Sequence, residues 1–245
     1  TTVLSLDEYD NITKTVYADS SQTNAKYSPV HGGITESIDE LGIKTTYDYD
    51  AKGNLTKTTE AVGLPEQRIT ELTRNAWGQI TTETRKGTTV ALPDTTSQVV
   101  PDASIVTAYD GWGNVTQITD AEGKQRLFAH DRMGNTTRLT DPLGKVWTST
   151  FDASGRLTAH ANPLGHTVTL GYDKVGNLTR KTDANSKVTT YAYDAGNRRI
   201  STTDPYGKSF TVQYDLDGKP SGSSDEEGKP QGIVTYNLDG FPVQE

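Results

Sequence analysis

The chain has 245 residues, a formal net charge of -8, no cysteine and a hydrophobic fraction of 32%. These values exclude disulfide staples and thiolate metal sites, argue against a phosphate backbone as partner, and leave too few apolar residues to fill a thick core. Tyr and Thr are nevertheless abundant and recur at fixed positions, so the composition reads as folded.

In chain order, the first elements are echoes of a unit that later becomes regular. One echo lies at 6–13, where Asp10-Asn11-Ile12-Thr13 stands, and a second at Gly32-Gly33-Ile34-Thr35. Tyr49-Asp50-Ala51-Lys52-Gly53-Asn54-Leu55-Thr56 is the first complete match, and Asn75-Ala76-Trp77-Gly78-Gln79-Ile80-Thr81 follows as a partial one. The spacing then widens, with the extra length at 86–102, which holds Pro93 and Pro101 and reads as an insertion loop. From there the period is 21 residues: units start at Tyr109, His130, Phe151, Tyr172 and Tyr193, a sixth at Tyr214, and a further one opens at Tyr236-Asn237-Leu238-Asp239-Gly240. About eleven starts are counted in all, so residues 1–245 read as one array of repeats. The chain starts and stops inside repeats, which reads as a fragment of something longer.

Each regular unit contains two Asp-x-x-Gly segments. Asp opens a type I turn by bonding the backbone beyond it, and Gly in fourth place takes the positive φ that closes a hairpin with a bulge. Asp141-Pro142-Leu143-Gly144, Asn162-Pro163-Leu164-Gly165 and Asp204-Pro205-Tyr206-Gly207 add proline where a type I turn accepts it. In the unit at Tyr193, Asn197 occupies the glycine place, and asparagine tolerates the left-handed region. Two turns per unit mean two strands per unit. Phe210, Val212 and Tyr214 alternate with Thr211 and Gln213; Val168, Leu170 and Tyr172 with Thr169 and Gly171; Tyr191 and Tyr193 with Thr190 and Ala192. The second strand has one apolar anchor, as at Leu55, Val115, Leu157 and Leu178. Short strands joined by tight turns must be antiparallel neighbours. The predicted fold is therefore all-β, an antiparallel meander of tandem hairpins of about 21 residues whose accumulated twist makes it curve or spiral.

The recurring Tyr-Asp-x-x-Gly-Asn-Leu-Thr-x-x-Thr-Asp-x-x-Gly resembles the Rhs or YD-repeat family of bacterial polymorphic toxins, shell components of Tc toxins, and teneurins. The resemblance implies a strip of sheet that forms part of a hollow shell, secreted or at the cell surface. The implied partner is an enclosed or attached polypeptide such as a toxin cargo. The plug motif Asp-Pro-x-Gly-Leu of the bacterial shells has no match, so no self-cleaving residue is assigned.

Other chemistry is weighed residue by residue. His130 takes the aromatic place of its unit and is expected to pack as a tyrosine does; His31, His160 and His166 share no spacing, so neither a metal nor an acid-base role is assigned. Asp215-Leu216-Asp217-Gly218 and Ser224-Asp225-Glu226-Glu227-Gly228 fit no calcium loop and read as turn caps, with 225–227 the place where an adventitious calcium ion would sit. Asn11, Asn54, Asn114, Asn135 and Asn177 begin glycosylation acceptor triplets, but all five fall at the same place in the repeat and follow from it. No catalytic residue, cofactor or metal site is predicted, and no enzyme. No apolar run is long enough for a membrane span, and TTVLSLDEYD is not a signal peptide. The recurring Tyr49, Tyr172, Tyr193 and Tyr214 allow two readings. They stack across strands to stiffen the sheet, or they form an aromatic face that binds a glycan or cell-surface partner.

Overall fold

The computed structural model describes residues 2–91, 97–225, 227–233, 235–236 and 242–243. Every regular element among them is a strand, and no helix is long and apolar enough to cross a membrane. Pro93 of the expected insertion loop, Glu226, and 237–240 of the unit opening at Tyr236 lie outside the described residues.

The chain divides into two compact units, Thr1–Leu127 and Phe128–Glu245. In the first, β1 (Val3–Leu6), β2 (Ile12–Val16), β3 (Gln22–Tyr27), β4 (Ile34–Ile38), β5 (Lys44–Tyr49), β6 (Leu55–Glu60), β7 (Arg68–Arg74) and β8 (Ile80–Arg85) pair in sequence, each antiparallel to the last. A small hairpin of β9 (Thr89–Ala91) and β10 (Ser97–Val99) stands outside this order. β8 pairs directly with β11 (Ala103–Tyr109), which is followed by β12 (Val115–Thr119) and β13 (Gln125–His130). The second unit repeats the pattern through β14 (Thr136–Thr140), β15 (Val146–Phe151), β16 (Leu157–Ala161), β17 (Thr167–Tyr172), β18 (Leu178–Thr182), β19 (Val188–Tyr193), β20 (Arg199–Thr203), β21 (Ser209–Tyr214), β22 (Pro220–Ser224) and β23 (Pro230–Ile233). A short pair, β24 (Thr235–Tyr236) and β25 (Pro242–Val243), comes last. The fold is the all-β antiparallel meander that the turn chemistry requires.

The hairpin excursion after β8 has a tight neck. Lys86 pairs with Asp102, whose second oxygen accepts the Gly87 N–H at 2.8 Å. A Cβ at Gly87 would stand 1.8 Å from the Val100 carbonyl oxygen, so only glycine lets the two chains of the neck approach.

Burial is thin throughout. Among the described residues Ala61 and Thr59 alone are buried, and no side chain is fully so. The strand alternation holds in β17 and β19, where Val168, Leu170, Tyr191 and Tyr193 are half-buried and Thr169, Thr190 and Ala192 exposed. It fails in β21, where Phe210 is 40% exposed and Thr211 is better covered. With so little apolar burial, cohesion falls to hydrogen bonds, and the repeat motif is where they concentrate.

Candidate functional site

The repeated hairpin is the one constellation in which the same side chains recur with the same geometry, so the site is built from it. The Asp after the aromatic residue caps its turn. In the unit at Tyr172, Asp173 Oδ1 accepts the N–H groups of Val175 at 3.0 Å, Gly176 at 2.8 Å and Asn177 at 2.8 Å, and Oδ2 accepts the Asn177 side-chain amide at 2.9 Å. Burial pushes the Asp173 carboxyl up, but the Asn177 amide and the three backbone N–H donors outweigh it, and its pKa lies below the ordinary aspartate value. Asp7, Asp50 and Asp131 are also lowered, chiefly by the side-chain amides of Asn11, Asn54 and Asn135. In Asp152 and Asp194 the leading cause is the backbone N–H of Arg156 and of Arg198. The fourth place of the turn takes a positive φ, and Asn197 holds it at 60° as its sequence place requires.

Past the glycine, the hairpins at Tyr109, Phe151, Tyr172, Tyr193 and Tyr214 each contain a bulge. The register moves from Gly171↔Arg180 to Tyr172↔Leu178, leaving Thr179 unopposed. Its hydroxyl donates to the Gly171 carbonyl at 3.2 Å, and Thr13, Thr56, Thr137 and Thr158 do the same to Ser5, Asp48, Ala129 and Thr150. The Asn of every glycosylation triplet is thus occupied, and the Thr of four of the five: the amide of Asn11, Asn54, Asn114, Asn135 and Asn177 donates to the capping Asp, and the hydroxyls of Thr13, Thr56, Thr137 and Thr179 donate to a carbonyl.

The tyrosines do something the sequence reading did not anticipate. Each hydroxyl reaches across to the previous repeat and donates to the carbonyl that opens its second strand: Tyr27 to Ile12 at 3.1 Å, Tyr49 to Ile34 at 2.7 Å, Tyr109 to Ile80 at 2.9 Å, Tyr172 to Leu157 at 2.9 Å, Tyr193 to Leu178 at 2.9 Å and Tyr214 to Arg199 at 3.1 Å. The expectation that they stack on one another is corrected. Successive tyrosines are two strands apart, about 9.5 Å, too far for ring contact. The aromatic pair among the described residues is instead His31 with Tyr49, centroids 4.3 Å apart. The tyrosine is a latch between repeats, with its hydroxyl proton committed to the carbonyl of the previous one.

Two arginines strengthen the latch. Where the unit has Arg in place of Asn after the turn, Arg156 Nε bonds Asp152 at 2.6 Å, its Nη1 donates to the Asp173 carbonyl at 3.0 Å, and its guanidinium lies 4.8 Å from the Tyr172 ring centre. Arg198 repeats this with Asp194, Asp215 and Tyr214. Gln79 makes the corresponding bridge to the Gly113 carbonyl at 3.0 Å.

Among the described residues the latch is missing at the aromatic places held by Arg74, His130 and Phe151. Among the described residues the two buried side-chain nitrogens without a hydrogen-bond partner are Arg74 Nη1 and His130 Nδ1. His130 takes the tyrosine's place but not its bond. The other histidines are separate: His31 Nδ1 accepts from Gly33 N–H at 3.1 Å, His160 Nδ1 meets Ser149 Oγ at 3.0 Å, and His166 follows the turn of Asn162. Asp215 and Asp225 accept the N–H groups of Lys219 and Lys229 at 2.8 Å, which is turn capping. No group of three or more His, Asp or Glu among the described residues is placed to hold a metal ion.

A tandem array of capped, bulged and latched hairpins defines a β-repeat protein whose recurring chemistry is spent on itself. The family model described as RHS Repeat matches residues 31–65, 109–146, 130–167 and 172–209, together more than half of the chain, and the chain belongs to this family. Similar solved structures include TcdB2-TccC3-Cdc42, at 15% identity over 89% of this chain and 13% of that chain with a TM-score of 0.47. TcdB2-TccC3 without its hypervariable C-terminal region matches at 13% identity over 96% and 15%, TM-score 0.46. The Photorhabdus luminescens Tc holotoxin pore matches at 14% over 96% and 16%, TM-score 0.36. This chain therefore spans about a seventh of the length of those proteins. No curated protein matches it.

Proposed function

We propose that the chain is a non-catalytic structural segment of an Rhs-type shell, a strip of wall that encloses or displays an associated polypeptide such as a toxin, in a secreted or surface-exposed protein. The observation that carries this reading is the use of the motif: the Asp, Asn, Thr and Tyr side chains described above are bonded to the repeat itself or to the previous one. A motif whose polar groups are consumed internally serves to propagate a sheet, not to turn over a substrate. The array from residue 1 to 245, with its excursion at 86–102, acts as one such strip.

Limited proteolysis of the full-length protein tests it. A cargo polypeptide enclosed by the wall resists protease in the parent and becomes cleavable when Tyr193→Ala loosens the strip. Equal cleavage rates in both proteins would remove the enclosing role.

A further inference from the structure

The break in the latch at Arg74 coincides with a cleft in the first unit. It lies between the turn at 50–53 and the turn at 75–78, holds about 690 Å³, and is walled by Asp50, Lys52, Asn54, Thr56, Arg74 and Trp77. The repeat's tyrosine would bridge this junction; arginine in its place does not. Arg74 is half-buried, its Nη1 has lost water without gaining a partner, and no ion pair forms to it among the described residues. Arg156 and Arg198 show the contrast, since each is bonded to a carboxylate and a carbonyl and lies by a tyrosine ring. A guanidinium always carries its charge, and Arg74 lines the cleft, so N–H groups of Arg74 other than the buried Nη1 offer an anion in the cleft a charge-assisted hydrogen bond.

The rest of the cleft narrows the anion's chemistry. Trp77 is 75% exposed and forms one wall. Trp77 also lines the next cleft along the same edge, of about 250 Å³, together with Trp112, which is 85% exposed. The Gln79 bridge to Gly113 ties these two turns together. Two exposed indoles at successive turn tips, with amide and hydroxyl groups between them, suit flat rings that are apolar on their faces and polar at their edges. Lys52 and Asp50 stand in the same wall as Arg74, which leaves that wall one net positive charge and suits one carboxylate group at this point over a dianionic group.

We propose that this pair of clefts binds an acidic oligosaccharide, with the carboxylate of one sugar on Arg74 and its neighbours stacked on Trp77 and Trp112. The site is separate from the latch tyrosines and does not depend on what the strip encloses.

The test titrates the 245-residue chain with tetragalacturonate by calorimetry and tryptophan fluorescence, beside its neutral methyl ester and an acidic peptide. The acid form is expected to bind saturably and to change the fluorescence, with the ester at least about tenfold weaker. Arg74→Gln keeps the cleft open and lowers affinity by about tenfold or more, and Trp77→Ala lowers it similarly. Arg74→Tyr, which installs the repeat's own residue, abolishes binding while the melting temperature stays at or above that of the parent. Absence of saturable binding, equal binding of the ester or the peptide, or unchanged affinity in a folded Arg74→Gln protein overturns the proposal.

Discussion

The repeats around Tyr172, Tyr193 and Tyr214 and the junction at Arg74 are built on the same hairpin and differ in how it meets its predecessor. In the former, a phenol reaches into the previous repeat, and Arg156 or Arg198 lies by the ring of Tyr172 or Tyr214. In the latter the turn is still capped, with Asn75 accepting the N–H groups of Trp77 and Gln79 at 3.0 Å, but the phenol is gone, and a cleft of about 690 Å³ lies beside Arg74. Folding of a repeat and joining of two repeats are thus separable functions of different side chains. The cap is local and survives substitution of the latch.

The broadest way to challenge this separation is pH, because it acts on several aspartate caps at once and not on the Asn75 cap. Asp7, Asp50, Asp131, Asp152, Asp173 and Asp194 all have pKa values lowered in the folded chain. Their contribution is complete above the unfolded aspartate value of about 3.9 and is lost as the pH falls through the lowered folded values. Thermal melts followed by circular dichroism are expected to be level from pH 7 to about 5 and to drop steeply below about 4. A drop centred near pH 6.5 would point to histidine and contradict the capping account.

Tyr193→Ala removes ring and hydroxyl from a latched junction and is expected to cost about 2 to 3 kcal/mol in urea unfolding. Tyr193→Phe keeps the ring and isolates the hydroxyl, at about 1 kcal/mol. Arg74→Tyr runs the comparison in reverse and should stabilise the first unit by about 0.5 to 1 kcal/mol; a loss of stability would mean that the junction has diverged beyond one residue. The smallest effect is expected from Arg156→Asn, which restores the repeat's commoner residue, keeps the Asp152 cap and gives up the bridge to the Asp173 carbonyl and the contact with Tyr172. About 0.5 kcal/mol is expected, read as a shift in the same urea midpoint.

Much of this was legible in the residues. Turn chemistry is local, so Asp141-Pro142-Leu143-Gly144 or Asn197 in the glycine place could be placed without knowing what lay beside them. The latch was not, because its two ends, Tyr172 and Leu157 for example, are far apart in sequence and one is a backbone carbonyl that any residue supplies. A signal existed: the aromatic place is tyrosine in most units and phenylalanine at Phe151 alone, a preference that ring packing does not explain and a hydroxyl partner does. The bulge left a fainter mark in the recurring Thr that follows the apolar anchor, read as β propensity when its hydroxyl was closing the gap. The cleft at Arg74 was invisible for a different reason. An arginine in an imperfect repeat looks like surface variation until its nitrogen is seen without a partner.

By itself, the sequence determined the period, the two turns, the antiparallel meander and the family, because each rests on bonds within about ten residues of one another and on the handedness those residues impose. The tertiary structure alone decided which tyrosines hold repeats together, where that hold is absent, and what chemistry the gap exposes. Those depend on distances between strands, and a repeat's spacing along the chain says which strands are neighbours without saying which atoms meet.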